Sequence, residues 1–103
     1  MAVTIKTRRE IELMREPCKV TAELLKDLED FVEPGLSTKD ISDYAEKRIL
    51  AHGMTPTFKG YGGFPAAACV SVNDEVIHGI PGDRIIEPGD LVKTDVGIQC
   101  GGY

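Results

Sequence analysis

Apolar residues at Ile11, Met14, Cys18, Leu25, Leu28 and Val32 recur at spacings of three, four and seven, which predicts an amphipathic helix over about residues 7–33. Thr7 followed by Glu10 has the form of a capping box. Pro17 lies inside this stretch. It has no backbone donor and its ring crowds the carbonyl four residues back, so it predicts a kink, or two shorter helices meeting near Glu16. Pro34-Gly35 closes the segment. Ser37 with Asp40 opens a second helix, whose Ile41, Tyr44, Ala45 and Ile49 share one face, and Gly53 is placed to stop it.

The pattern then changes. Thr55 to Pro65 is rich in Gly, Pro and aromatic residues, and Tyr61-Gly62-Gly63-Phe64-Pro65 reads as a shaped loop. Ala68, Val70 and Val72 alternate with Cys69 and Ser71 up to a turn at Asn73-Asp74, and Glu75 to His78 reads as the returning arm of a hairpin. After turns at Pro81-Gly82-Asp83 and Pro88-Gly89-Asp90, Leu91 to Ile98 reads as a third strand. Its Val92, Thr94, Val96 and Ile98 point one way, and Leu91, Lys93, Asp95 and Gly97 the other. The order of two helices and three strands predicts an α+β fold, with the helices on one face of a mostly antiparallel sheet.

At 103 residues the chain amounts to one domain at most, small for an enzyme that must also build a deep pocket. Acidic residues outnumber basic ones 17 to 12, and the cations are scattered, which leaves phosphate-backbone binding without an electrostatic basis and argues against nucleic acid. Charges within the first ten residues and the absence of a long apolar run argue against a signal peptide or a membrane span, so a cytoplasmic location is expected. Cys18, Cys69 and Cys100 are odd in number and widely spaced, which fits free thiols better than disulfides or a zinc knuckle.

Asp95 is the most suggestive single residue. Aspartate is disfavoured in strands, and a carboxylate among Val92, Val96 and Ile98 needs a compensating cation, which a metal would supply; the alternative is that Asp95 pairs with Lys93 on the same face or caps the strand end at the surface. His78, in Val76-Ile77-His78-Gly79-Ile80-Pro81, is a candidate donor or acceptor to a reacting group; the alternative is a half-buried imidazole bonded to a backbone carbonyl. His52, near the end of the second helix, fits a favourable charge on the helix dipole. Tyr61, Phe64 and Cys69 suit either an apolar pocket that accommodates sulfur or ordinary core. Nothing in the spacing brings Cys69 and His78 together as a nucleophile and its base.

Four segments in order carry a resemblance: Phe58-Lys59-Gly60-Tyr61-Gly62-Gly63-Phe64-Pro65, Cys69-Val70-Ser71-Val72-Asn73, Val76-Ile77-His78-Gly79-Ile80-Pro81, and Pro88-Gly89-Asp90-Leu91-Val92-Lys93-Thr94-Asp95-Val96-Gly97. Together they resemble type I methionine aminopeptidases, and the amino-terminal helices extend the match over essentially the whole chain. The resemblance implies the amino-terminal half of a pita-bread fold and, in the complete enzyme, two divalent ions (cobalt, manganese, iron or zinc) that assist removal of the initiator methionine from nascent chains. It matches Asp95 to a metal ligand, His78 to the catalytic histidine that contacts the scissile amide, and Phe58, Tyr61, Phe64 and Cys69 to the methionine pocket.

Departures are Phe64 where tyrosine is common, Gly62 where some members carry histidine, Phe58 where some carry cysteine, and Pro17 where a small residue is usual. The family continues past the equivalent of Tyr103 with His-Gly-Asp and, later, a ligating histidine and two glutamates. The carboxy-terminal half is therefore expected to be absent, as a partner these residues need, and the chain alone is expected to hold no metal stably and to be inactive. Its uncovered sheet is expected to favour self-association. Two rival readings are a non-enzymatic peptide-binding module of the same fold and a thiol enzyme built on Cys69.

Overall fold

Thr7 and Ser37 start the two helices by the same device. In the structure, a computed structural model that describes residues 2–103, the Thr7 hydroxyl accepts from the Glu10 amide at 3.2 Å and the Glu10 carboxylate accepts from the Thr7 amide at 3.0 Å. Ser37 and Asp40 repeat the exchange at 3.0 and 2.9 Å. Helix α1 spans Arg8–Phe31 and helix α2 spans Thr38–Ala51. His52 is the C-cap of α2, and Gly53 turns the chain away in the left-handed region at φ 72°.

Of the two outcomes expected at Pro17, a kink or two shorter helices meeting near Glu16, the second does not occur: α1 runs through Pro17 as one helix. Pro17 is buried in line with Val20, Leu24 and Leu28, and packing of that stripe outweighs one missing backbone bond. Thr21 Oγ1 donates to the Pro17 carbonyl at 2.7 Å. The stripe also differs from the expected one. Of the six residues predicted to share the buried face only Leu28 is buried, while Ile11, Cys18 and Leu25 are exposed. Leu24 and Leu25 are adjacent, and taking one in place of the other turns the face by about 100°. The face predicted for α2 is the observed one, with Ile41, Ala45 and Ile49 fully buried and Tyr44 stacked on Phe31 at 3.9 Å.

Four short strands form two antiparallel pairs. β1 (Thr55–Pro56) pairs with β4 (Ile98–Gln99), and β2 (Ala68–Val72) pairs with β3 (Val92–Val96). Two expectations fail here. Glu75–His78 is not a hairpin arm, because His78 sits at φ 61°, which extended geometry excludes; one backbone–backbone bond, Val70 N to Gly79 O at 3.0 Å, joins this segment's end to the free edge of β2. The strand expected over Leu91–Ile98 divides at Gly97, which leaves room for the Phe58 ring: a Cβ there would stand 3.0 Å from Cε1. β1 consequently lies in the stretch expected to be loop.

The core is the space between the helices and one face of β2. Val20, Leu24 and Leu28 of α1, Ile41, Ala45 and Ile49 of α2, and Ala68, Val70 and Val72 meet there, and Val92, Val96 and Ile98 pack against them. The other face of β2, carrying Cys69 and Ser71, is buried too, because the loop after the strand folds back over it. The strap Gly82–Ile86 is tied to the start of α2 through Thr38 N to Arg84 O at 3.0 Å and Thr38 Oγ1 to Gly82 O at 3.1 Å. Tyr103 Oη donates to Glu10 at 2.9 Å, joining the last residue to the first turn of α1.

Among the described residues three carboxyls lie below their ordinary range, each chiefly because a backbone amide donates to it: Glu10 from Thr7, with Tyr103 adding to the effect, Asp40 from Ser37, and Asp90 from Glu87. A depressed carboxyl contributes stability that is complete above its ordinary value, 4.5 for Glu10 and 3.8 for Asp40 and Asp90, and is lost as pH falls through its lower folded value. Urea midpoints should therefore be flat down to the ordinary values and fall below them. Asp40→Asn should reduce the acid-side slope, and an unchanged slope would refute the cap's contribution.

Candidate active site

The segment 58–64 closes on itself. Tyr61 N donates to Phe58 O at 3.0 Å, Phe64 N to Tyr61 O at 3.0 Å and Gly60 N to Phe64 O at 2.8 Å, around a single 3-10 turn at Tyr61–Gly63. Gly60, Gly62 and Gly63 all have positive φ, so the repeated glycine of this segment meets a backbone requirement. The turn directs Phe58, Tyr61 and Phe64 to one side, facing the outer face of β2 and β3.

That face carries Cys69 and Asp95, which are directly opposite one another in the ladder. A cleft of about 610 Å³ lies between the aromatic turn and the strands, and Phe58, Tyr61, Phe64, Cys69, His78 and Asp95 all line it. The structure thus brings all six residues singled out in the sequence to one cavity. Ile80 and Pro65 also line it and were not singled out; the signal for Ile80 was its place two residues beyond His78. Tyr61 stands at the rim, 80% exposed, and Cys69 at the floor, 5% exposed.

Lys93 does not neutralise Asp95. Its ammonium donates to the carbonyls of Asn73 and Glu75 instead, and among the described residues no donor or cation is bonded to the Asp95 carboxylate. The cleft therefore has an exposed, unpartnered carboxylate beside apolar walls, a group suited to a cation from outside this chain segment. It is one ligand only: no cluster of three or more His, Cys, Asp or Glu is placed to hold a metal among the described residues. No helix among them is long and apolar enough to cross a membrane.

His78 is exposed and its imidazole makes no hydrogen bond to the described residues, so the alternative of a half-buried histidine on a backbone carbonyl is not what the fold contains. Its left-handed backbone, unfavourable by about 1 kcal/mol or more, is maintained by Gly79. The Gly79 amide donates to Ser71 Oγ at 2.9 Å, and a Cβ on residue 79 would lie 2.2 Å from the Val70 carbonyl oxygen. Cys69 is a poor nucleophile here, because burial and then the charge of Asp95 push its thiol above the ordinary value.

Comparison with known proteins agrees in sequence and in fold. The profile of metallopeptidase family M24 matches residues 12–103. Methionine aminopeptidase 1 of Bacillus subtilis is 43% identical over 101 residues, which are 98% of this chain and 41% of that protein. The crystal structure of methionine aminopeptidase from Rickettsia prowazekii superposes with a TM-score of 0.90 at 35% identity, over 94% of this chain and 39% of the other. The Thermotoga maritima enzyme gives 0.89 at 38% identity, over 94% and 39%. The α+β architecture is thus that of the pita-bread aminopeptidases, and the chain spans about 40% of the length of the curated relatives it matches.

Two measurements check this geometry. Gly79→Ala should destabilise the protein by about 1–3 kcal/mol in denaturant titration, since backbone must move, whereas Gly82→Ala, with nothing within 4 Å of its Cβ, should stay within about 0.5 kcal/mol of the parent. Iodoacetamide at neutral pH should modify Cys18 well before Cys69; a Cys69 that reacts first would revive the thiol-enzyme reading.

Proposed function

The chain belongs to metallopeptidase family M24, and on that premise we propose that it carries the substrate pocket and one metal ligand of an aminopeptidase that removes the initiator methionine from nascent polypeptides. The observation that carries the reading is the convergence of Phe58, Tyr61, Phe64, Cys69, His78 and an unpartnered Asp95 on one cleft. Aromatic walls and a buried thiol suit a methionine side chain, whose polarisable sulfur gains from ring contacts.

Asp95 is the residue here that would hold metal. The chemistry that two divalent ions of the kind implied by the resemblance (cobalt, manganese, iron or zinc) would supply there is activation of water and polarisation of the scissile carbonyl. One carboxylate is far short of the donors a pair of cations takes, so the remaining ligands of such a site are not among residues 1–103. His78 keeps its imidazole free of protein partners, which leaves an N–H to donate to the substrate carbonyl oxygen as negative charge develops on it. The aromatic turn excludes water from the methionine side chain and orients the terminal residue. A nascent-chain substrate places this activity in the cytoplasm.

The test is methionine release from a Met-Ala-Ser peptide with added cobalt or manganese. Asp95→Asn in the natural gene product should lose activity by more than about a hundredfold, and His78→Ala by about a hundredfold or more, chiefly in kcat. The 103-residue protein by itself should release none above background. Full activity of Asp95→Asn would overturn the reading, and peptide binding without turnover in the parent protein would favour a binding module.

A further inference from the structure

The loop that carries His78 is held at both ends. At its start, Asn73 N donates to Leu91 O at 2.9 Å, Leu91 N to Asn73 Oδ1 at 2.8 Å and Glu75 N to Val72 O at 3.1 Å, and Lys93 Nζ adds the one charged tie, donating to the carbonyls of Asn73, at 2.9 Å, and Glu75. No carboxylate is within ion-pair distance of that ammonium among the described residues, so its hydrogen bonds go to main-chain oxygens alone. At its end, Ser71, itself 3% exposed, accepts from the Gly79 amide at 2.9 Å, and Val70 N donates to Gly79 O at 3.0 Å. Between the ties stands His78, in a backbone conformation that only over-determined surroundings maintain.

Alternate residues of a strand share a face, so Lys93 and Asp95 project from the same side of β3. Asp95 lines the cleft, and Lys93, two positions earlier, grips the loop whose far end bears His78. The strand therefore acts as a common reference for both groups. A charge-assisted bond is about twice as strong as a neutral one, and Lys93 makes two.

We propose that Lys93 is a positioning residue: by holding the Asn73 and Glu75 carbonyls to β3, its ammonium sets where His78 stands relative to Asp95. The inference rests on the function proposed above for those two residues. Displacement of a reacting group by about 1 Å can cost a hundredfold in rate, so a tie that governs the loop's register governs turnover without touching substrate.

Lys93→Met keeps the aliphatic stem and removes the charge and the donors, and Lys93→Arg restores a cation with N–H groups. In the natural gene product with manganese bound, Lys93→Met should raise hydrogen exchange in peptides covering 73–79 by about tenfold, with peptides of α1 and α2 unchanged. Its kcat on Met-Ala-Ser should fall about tenfold with KM within about twofold, and Lys93→Arg should recover most of both. Lys93→Gln, which keeps donors without charge, should give an intermediate loosening if Lys93→Met does not fold. Loop exchange that stays at the parent level, or rises equally in the helices, would overturn the proposal. A loosened loop with parental kcat would leave the tie standing and overturn the role given to His78.

Discussion

The antiparallel pairing of Ala68–Val72 with Val92–Val96 is the constraint from which the site follows. It sets Cys69 directly across from Asp95, and it sends Val70, Val72, Val92 and Val96 to the helices while Cys69 and Asp95 face outward. A slip of one residue would exchange those faces: Asp95 would enter the apolar core, and valines would occupy the cleft. Burial of one face against α1 and α2 therefore protects the register, and the register in turn places the carboxylate.

Two glycines turn this scaffold into a cleft. Gly79 lies against the Val70 carbonyl, where no side chain fits, and so brings the His78 loop onto the edge of β2. Gly97 ends β3 and admits the Phe58 ring, which closes the aromatic turn over the strands. Backbone approach at these two points decides the shape of the cavity, and the side chains lining it are presented by elements that are themselves tightly bonded. His78, which with Asn73 is one of two non-glycine residues in the left-handed region among those described, also has a side chain with no hydrogen-bond partner among them.

Charge is distributed to match. The acids near the ends of elements are satisfied by amides, as at Glu10, Asp40 and Asp90, and Lys93 spends its donors on carbonyls. Among the described residues Asp95 is left without a counter-ion, beside a thiol whose pKa burial raises. Such a carboxylate suits the metal-ligand role proposed for Asp95, whereas a thiol enzyme would need Cys69 ionised and a base in contact with it.

Much of this was legible in the residues, and the boundary has a physical cause. The capping boxes at Thr7 and Ser37, the buried face of α2, the turn at Pro88-Gly89-Asp90 and the opposite orientation of Val96 and Asp95 are local properties, governed by periods of 3.6 and 2 and by side chains that reach only a few positions. The resemblance carried by Phe58 to Pro65 and by the segments around His78 and Asp95 marked the cleft residues. The stripe of α1 was misplaced at Cys18 and Leu25, whose neighbours Pro17 and Leu24 are buried instead, because adjacent apolar residues leave the helical phase ambiguous until a partner surface selects one. What the chain by itself determined was the two helices, the strand at Ala68–Val72 and the body of the strand at Val92–Val96, together with the residues that line the cleft. Only tertiary structure decided that β2 pairs with β3 and not with Glu75–His78, that the last strand divides at Gly97, and that Lys93 grips a loop instead of Asp95, because each depends on contacts between residues far apart in sequence, about which local pattern is silent.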